Sequence, residues 1–580
     1  MQSDTWWREA VFYQIYPRSF ADGNGDGIGD FAGMIGKLDY LLDLGIDAIW
    51  LSPHYPSPQK DCGYDISDYR GVASEYGTLE EFKAFLDGAH ERGIRVVLDL
   101  VLNHTSDEHP WFQLSRSGLD HEKRDWYVWH DGRVTPEGTR LPPNNWESGF
   151  GGSAWEYDAQ TEQYYYHFFL KEQPDLNWRN PDVKSAMWDV VHFWMGLGVD
   201  GFRLDAITTI FEDLEFRDHE SGTTLVGLYR MSEATGDSES RAAIYALWEK
   251  HFKYQVAQPE LHGLMKELRG EVDAYPGSVL IGEDDDVAYY GNGDDELHLV
   301  FNFPLMRTDQ LTPDHVRQNQ AERLSTLPEG AWPCNTLGNH DSSRVWSAFG
   351  DGIHDRELAQ ISAALVLTLR GTPFLYYGEE IGMVDRPPED LGEIKDTMAL
   401  RHYDLALAHG MSPLEAFAIA QQTSRDACRT PMQWQSTPNA GFSPEDVETW
   451  LPVHSNFAEG VNVAEQQGDP ESMLSFYRRL LQLRKTSPAL KAGAYRPLLE
   501  DDPDCLCYLR VAENQTVLVV LNFGEEDRTL TLPGLSAYTG RVLFSTASRQ
   551  DAVGLGEVDI EPFGIYITEV DGVQRKNLAT

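Results

Sequence analysis

Residues 201–207 read GFRLDAI, and the fold turns on how this short run is read. Its apolar positions mark a strand, yet Arg203 and Asp205 lie two positions apart and therefore point to the same face. Charged side chains are rare inside a buried run unless they are paired or functional. Working outward, the same form recurs: a short apolar run that ends in polar residues. VFYQIYP (11–17), IDAIWLSP (46–53), IRVVLDLVLNH (94–104), VDGFRLD (199–205), SVLIGE (278–283), PCNTLGNHD (333–341) and PFLYYGEE (373–380) are seven such runs, and LHLVFNF (297–303) is a weaker eighth. Helical patterns such as FAGMIGKLDYLLDLG and LEEFKAFLDGAHERG separate most of them. Strands alternating with helices imply the α/β class and a parallel sheet. Eight units point to a (β/α)8 TIM barrel, whose functional residues sit at the C-terminal ends of the strands.

The barrel is expected in two parts. Residues 1–104 form the first. Residues 105–176, rich in Trp, Tyr, Gly and Asn with little helical periodicity, read as an irregular domain inserted after the third strand. Residues 177–490 complete the barrel, with a long, partly helical excursion at 381–470 (MSPLEAFAIAQQTSRD). From 491 to 580 the pattern becomes CLCYLRV, TVLVVLNF, TGRVLFS and GIYITEV. That alternation predicts a C-terminal antiparallel β-sandwich.

Bulk properties narrow the function. The 580-residue chain is too long for one core, and 41% hydrophobic residues suffice for several. With 47 basic against 93 acidic residues the net charge is −46, which argues against nucleic acid and against an anionic membrane surface. A soluble, self-repelling surface follows, one that suits salty water. The five cysteines (Cys62, Cys334, Cys428, Cys505, Cys507) are odd in number and match no zinc spacing. Reduced thiols are the expectation. The start, MQSDTWWREAVFYQ, has neither the basic nor the apolar region of a signal peptide, and no apolar run is long enough to span a membrane. A cytoplasmic monomer or homodimer fits.

Asp205, Glu283 and Asp341 each end an expected strand, with Arg203 and His340 beside them. Any one could be a cap or loop anchor. Three at matching strand ends would face one pocket. Two carboxylates flanking a bond are the minimum for glycoside hydrolysis, one attacking or activating water and the other protonating the leaving oxygen. Arg203 on the same face is expected to keep Asp205 ionised. Acidic neighbours Asp284, Asp285 and Asp286 would raise the affinity of Glu283 for its proton if they face it.

These segments resemble glycoside hydrolase family 13, the α-amylase family, and within it the bacterial α-glucosidase and oligo-1,6-glucosidase branch. DLVLNHTS (99–106), GFRLDAI (201–207), IGED (281–284) and GNHDSSR (338–344) resemble the four main motifs. QPDLNW (173–178), GYDISDY (63–69) and RTPMQW (429–434) resemble further ones, all in family order over residues 8 to about 485. The resemblance implies that Asp205 is the nucleophile, Glu283 the general acid/base and Asp341 the transition-state stabiliser. It implies that His104 and His340 donate hydrogen bonds to a bound glucose and that Arg203 supports the nucleophile. Asp61 and Tyr64 match positions that hold and stack on the terminal glucose, and Arg425 matches a residue that pairs with that aspartate and closes the pocket. Phe150 and Phe169 match aromatic positions lining the sugar site, with core packing an equal alternative. Cys62 stands where relatives often carry Asn. Ala206 is the residue type that, in this branch, goes with α-1,4 rather than α-1,6 bonds. No RLDRD-like segment of the sucrose-isomerase kind is present.

The loop DGNGDGIGD (22–30) offers oxygens from Asp22, Asn24, Asp26 and Asp30 and the carbonyl of Ile28. The spacing resembles the first part of an EF-hand loop, without the terminal Glu, because Gly33 stands there. From the pattern alone an acidic surface turn serves equally well. The family resemblance favours a structural Ca2+ or Mg2+, and hard oxygen ligands disfavour zinc.

The expectation is a retaining, exo-acting α-glucosidase that releases α-glucose from short α-glucosides, preferring α-1,4 bonds, with transglucosylation when a sugar hydroxyl replaces water. The alternatives are an oligo-1,6-glucosidase, or a sucrose- or trehalose-acting hydrolase, isomerase or glucosyltransferase of the same family. The alternative of another class is an inactive binding subunit, which an intact triad disfavours.

Overall fold

The structure, a computed structural model, describes residues 5–571 apart from 234–237, 533 and 549–552. Eight parallel strands form its central sheet: β1 (Phe12–Ile15), β2 (Ala48–Leu51), β3 (Arg95–Val101), β4 (Gly201–Asp205), β5 (Val279–Gly282), β6 (Leu299–Val300), β7 (Cys334–Thr336) and β8 (Thr372–Tyr376). The ladder runs β6-β5-β4-β3-β2-β1-β8-β7, so each strand but one pair lies beside its sequence neighbour. The exception is the seam between β6 and β7. There β6 is only two residues long, and side chains stitch the gap. The Tyr290 hydroxyl accepts from the Val300 amide at 3.1 Å and donates to the Trp332 carbonyl at 2.9 Å. Asn302 donates to Asn335 at 3.1 Å. The weakest apolar run in the sequence thus becomes the shortest strand of the barrel.

Register sets the height of each side chain inside the barrel. Asp99 lies opposite Arg203, Val101 opposite Asp205, and Arg203 opposite Ile281. The N-terminal end of the interior is filled by an apolar cluster that includes Phe12, Ala48, Val97, Val279, Leu299, Cys334 and Phe374. Gly201 is forced by this crowding: it holds φ 151°, and a Cβ there would lie 2.1 Å from the Val279 carbonyl oxygen. The outer helices bury their inner faces against the strands. Leu79–Glu91 begins with a Thr78/Glu81 capping box and buries Phe82, Phe85, Leu86 and Ala89.

The segment after β3 is more regular than its composition suggests. It carries a three-stranded sheet (Trp129–His130, Gln163–Tyr166, Trp155–Asp158) and a small hairpin (Arg133–Val134, Arg140–Leu141). Its core is aromatic, with Trp146, Trp155, Tyr166 and Phe168 packed together. The late excursion holds helices Thr397–Ala408 and Pro413–Thr423. The second starts on a Ser412/Glu415 capping box.

At the C-terminus, six antiparallel strands form one sheet, and Arg528–Thr531 pairs with Glu557–Ile560 as a second. The period-two pattern of the first sheet serves two partners. Cys505, Cys507, Leu518 and Val520 face the small sheet. Leu506, Tyr508, Val517 and Val519 join the main barrel core. Arg510, fully buried, donates to the carbonyl oxygens of Leu369 at 2.7 Å and Gly493 at 2.9 Å, binding this sheet to the barrel. No helix among the described residues is long and apolar enough to cross a membrane.

Candidate active site

The strand ends bring Asp99, Arg203, Asp205 and Glu283 into one cluster. The Arg203 guanidinium contacts Asp99 and Asp205 at 2.7 Å through one nitrogen and Glu283 at 2.8 Å through another. The indole of Trp50 lies 5.0 Å from the guanidinium carbon. Glu283 also accepts the Ala206 amide at 2.8 Å. Ala206 itself holds φ 42°, a left-handed conformation that a non-glycine residue adopts only under constraint. The turn that leaves β4 is therefore shaped by the carboxylate it faces.

The electrostatics correct one expectation from the sequence. Arg203 does pull Asp205 toward ionisation, but burial and the neighbouring Glu283 carboxylate outweigh it, and Asp205 lies well above the ordinary carboxylate range. Asp99 is pushed up to about 6, first by burial, with Arg203 opposing. One guanidinium cannot fully compensate the three carboxylates around it.

Asp341 is the opposite case. Burial would raise it, but His340, Arg429, Arg425 and Arg203 together bring it far below the usual range. Arg429 stands 2.5 Å from its Oδ1 and Arg425 3.4 Å. Burial pushes His340 down to about 3, so the ring is neutral near pH 7 and the two adjacent arginines carry the effect on Asp341.

The acidic triplet after Glu283 divides. Asp284 and Asp285 line the pocket, whereas Asp286 caps the turn Val287–Tyr290 by accepting the Ala288 amide. Asp285 is paired with Arg307 at 2.6 Å. Asp284 is raised to about 7, mainly by burial. So two of the three expected neighbours face the pocket, and one of those two is neutralised.

The pocket has a volume of about 700 Å³ and is lined by Asp61, Tyr64, His104, Phe150, Phe169, Asp205, Glu283, Asp341 and Arg425, among others. Arg203 and His340 are not on its wall. Arg203 lies beneath Asp205 and Glu283. His340 lies behind Tyr64: its ring stacks on the Tyr64 ring with centroids 5.5 Å apart. The Gln14 amide donates to its Nδ1 at 2.7 Å, which leaves Nε2–H to donate to the Tyr64 hydroxyl at 2.6 Å. Tyr64 in turn donates to Asp99 at 3.2 Å. In this structure the His340 ring therefore positions Tyr64, and its Nε2 also lies 3.4 Å from Asp341 Oδ2.

Arg425 and Asp61 stand 2.9 Å apart. Asp396 grips the same guanidinium through Nε at 2.9 Å and Nη2 at 2.7 Å. The Phe150 ring lies 5.5 Å from the Arg425 guanidinium carbon and 5.3 Å from the Phe169 ring. Gln173 donates to Asp61 at 3.0 Å and lies 2.9 Å from the His104 Nε2. Sequence reasoning missed Gln173, Asp99 and Arg429 as site residues, although each opens a motif quoted above. Asp396 carries no comparable signal, because it lies in the late excursion outside every motif. Cys62 and Cys428 flank this corner as buried free thiols.

The loop 22–30 is separate from the pocket. Asp22 accepts the amides of Gly25 and Gly27 at 2.5 and 2.9 Å, and Asn24 and Asp26 accept those of Asp26 and Ile28 at 2.9 and 3.0 Å. Gly27 takes φ 91° to make the turn. Asp30 is buried and occupied, accepting from the amides of Gly23, Asn24 and Gly33 and capping the helix Phe31–Ile35. The side-chain oxygens of Asp22, Asn24 and Asp26 and the Ile28 carbonyl are of the hard-oxygen type that Ca2+ and Mg2+ take. Asp30 is already engaged by three amides.

Comparison with known proteins gives a consistent family. The description "alpha amylase, catalytic domain" matches residues 14–493, and "maltogenic amylase, C-terminal domain" matches residues 495–567. An oligo-1,6-glucosidase of Parageobacillus thermoglucosidasius is 39% identical, over 97% of this chain and 99% of that protein. A probable alpha-glucosidase of Rhizobium meliloti (strain 1021) is 41% identical over 91% of each. The crystal structure of the trehalulose synthase MutB from Pseudomonas mesoacidophila MX-45 superposes with a TM-score of 0.85 at 37% identity, covering 98% of this chain and 99% of that one.

Proposed function

The chain belongs to the α-amylase family and is a glycoside hydrolase, and from that premise we propose that it is a retaining, exo-acting α-glucosidase. It would release α-glucose from the non-reducing end of short α-glucosides, α-1,4 bonds first. The observation that carries this reading is the pair Asp205 and Glu283 held on one guanidinium, opposite Asp341, in a pocket bounded by the Asp61–Arg425 pair.

Arg203 occupies Asp205 Oδ1, which leaves Oδ2 for attack on the anomeric carbon. Of Asp205 and Glu283, Glu283 is the more accessible, and it delivers a proton to the departing oxygen as Asp205 attacks. A β-glucosyl-enzyme forms. Glu283, now a base, activates water, and α-glucose leaves. A sugar hydroxyl in place of water gives transglucosylation. Anchoring both carboxylates on one guanidinium supports the close spacing, about 5–5.5 Å, that retention uses. Asp341, held anionic by Arg429 and Arg425, stabilises the positive charge that develops on the sugar ring.

The small Ala206 side chain on the pocket wall supports the α-1,4 preference. The second reading is an oligo-1,6-glucosidase, favoured by the name of the 39% identical relative. Loop 22–30 would hold a structural Ca2+ or Mg2+ through Asp22, Asn24, Asp26 and the Ile28 carbonyl. Chelation should then lower the melting temperature, and re-addition of Ca2+ or Mg2+ should restore it.

The test is proton NMR of the first product from maltose, isomaltose, sucrose and trehalose. Early α-glucose from maltose, faster than from isomaltose, supports the reading. Early β-glucose means inversion and refutes Asp205 as nucleophile. Faster release from isomaltose transfers the assignment to the second reading.

A further inference from the structure

A second cluster of chemically capable side chains lies outside the pocket, where the segment after β3 meets the helical excursion after β4. We propose that Glu147, His219 and His251 form a binding site for a zinc-class divalent cation. One donor atom from each of the three side chains lies within 4.8 Å of the others. His251 sits in the last turn of the helix Ser238–Phe252 and is fully buried. Its Nε2 has no hydrogen-bond partner, although Glu147 Oε2 is only 3.2 Å away. A bare imidazole nitrogen and a carboxylate oxygen at that separation are spaced as two ligands of one tetrahedral ion. With metal–ligand bonds of about 2.0–2.2 Å, such ligands stand roughly 3.3–3.5 Å apart.

The hydrogen bonding around the cluster sets the tautomers. The Ser221 hydroxyl lies 2.9 Å from His219 Nδ1 and 3.0 Å from His251 Nδ1. Its own hydrogen goes to the Thr223 carbonyl at 3.1 Å. Its two lone pairs are thus free to accept both Nδ1–H groups, while the Thr223 amide approaches only to 3.4 Å. With both Nδ1 atoms engaged by Ser221, the His251 Nε2 is left facing Glu147, open to a metal. The Leu225 amide holds Glu147 Oε2 at 2.6 Å from the other side. Two imidazoles and one carboxylate select zinc-class ions over Ca2+ and Mg2+, which prefer oxygen alone.

The site would act as a staple. The His219 amide donates to the Asn145 side chain at 2.8 Å, and Trp146 donates to the Arg217 carbonyl at 2.8 Å. An ion on Glu147 would fix this junction a few residues before Phe150, which lines the sugar pocket.

The experiment uses the full chain, stripped with chelator and returned to buffer containing Ca2+ so that loop 22–30 is satisfied. Zn2+ is titrated by calorimetry, and Co2+ by its visible absorption, against wild type, His219→Ala and Glu147→Gln. His219 is only half-buried, so its variant should fold, and circular dichroism checks this. We expect one Zn2+ per chain, a raised melting temperature, an intense tetrahedral Co2+ spectrum, and at least about tenfold weaker binding in both variants. No saturable Zn2+ binding, or equal binding by wild type and both variants, overturns the proposal.

Discussion

The two ends of the barrel interior are built by the same strands and follow opposite rules. At the N-terminal end, Phe12, Val97, Val279 and Phe374 fill the space with apolar surface, and Phe12 stacks on Phe374 with centroids 4.5 Å apart. A few residues further along, Asp99, Arg203, Asp205 and Glu283 fill the same cross-section with three carboxylates and one guanidinium. One end yields stability through close packing. The other holds charges whose mutual repulsion and burial oppose folding, and it is tolerated because the first end and the outer core are large. The lesson is that stability and chemistry are segregated along the strand axis, at a distance of a few residues.

Four substitutions would break or sharpen that contrast. Asp205→Asn should have the largest effect, lowering kcat on maltose by at least about 10⁴-fold. Because Asp205 is raised in the folded state, its ionisation withdraws stability as pH climbs from its unfolded value toward that raised one. The variant should therefore melt at the wild-type temperature or above it at pH 7. A coincident collapse of fold and activity would place Asp205 among the structural residues instead.

Phe12→Ala, at the opposite end, should cost about 3–5 kcal/mol of stability. Denaturant unfolding gives the loss, and kcat per folded molecule should be unchanged. A kcat loss as large as that of Asp205→Asn would mean the two ends are not independent.

Asp396→Asn tests the charge network at the pocket corner. Asp396 is held at about 2 in spite of its burial, chiefly by Arg425. A carboxylate depressed in the folded state contributes stability above its unfolded value and loses it as pH falls. The window here is about pH 4 down to about 2, and the contribution is on the order of 2–3 kcal/mol. Melting curves across that window should be flatter for the variant.

Ala206→Val should have the smallest effect. A β-branched residue at φ 42° is strained, and its extra bulk enters the pocket wall. The ratio of maltose to isomaltose turnover should fall by about tenfold. An unchanged ratio would remove Ala206 from the determinants of linkage.

Much of the contrast is legible in the sequence. A strand such as VDGFRLD announces its buried end by apolar residues and its active end by charge, because alternation and strand polarity are local properties. The strand lengths of the C-terminal sheet are equally plain, since CLCYLRV and TGRVLFS coincide with Cys505–Val511 and Thr539–Ser545. What cannot be read is which charges meet. His340 adjoins Asp341 in sequence, and nothing local announces that its ring meets Tyr64, 276 residues away. Gln173 and Arg429 stand inside recognised motifs but give no sign of their partners.

By itself, the sequence determined the order of strands and helices, the position of Asp205 and Glu283 at strand ends and the family, whereas Asp341 lies five residues beyond Cys334–Thr336. Each of these follows from periodicity and residue type over a few neighbouring positions. Only the tertiary structure decided that Asp205 is driven up while Asp341 is driven down, that Asp396 anchors Arg425, and that Glu147 meets His219 and His251. Those outcomes depend on burial and on charges brought together from distant parts of the chain. Electrostatic energy follows distance and dielectric in space, and neither is a property of position along the chain.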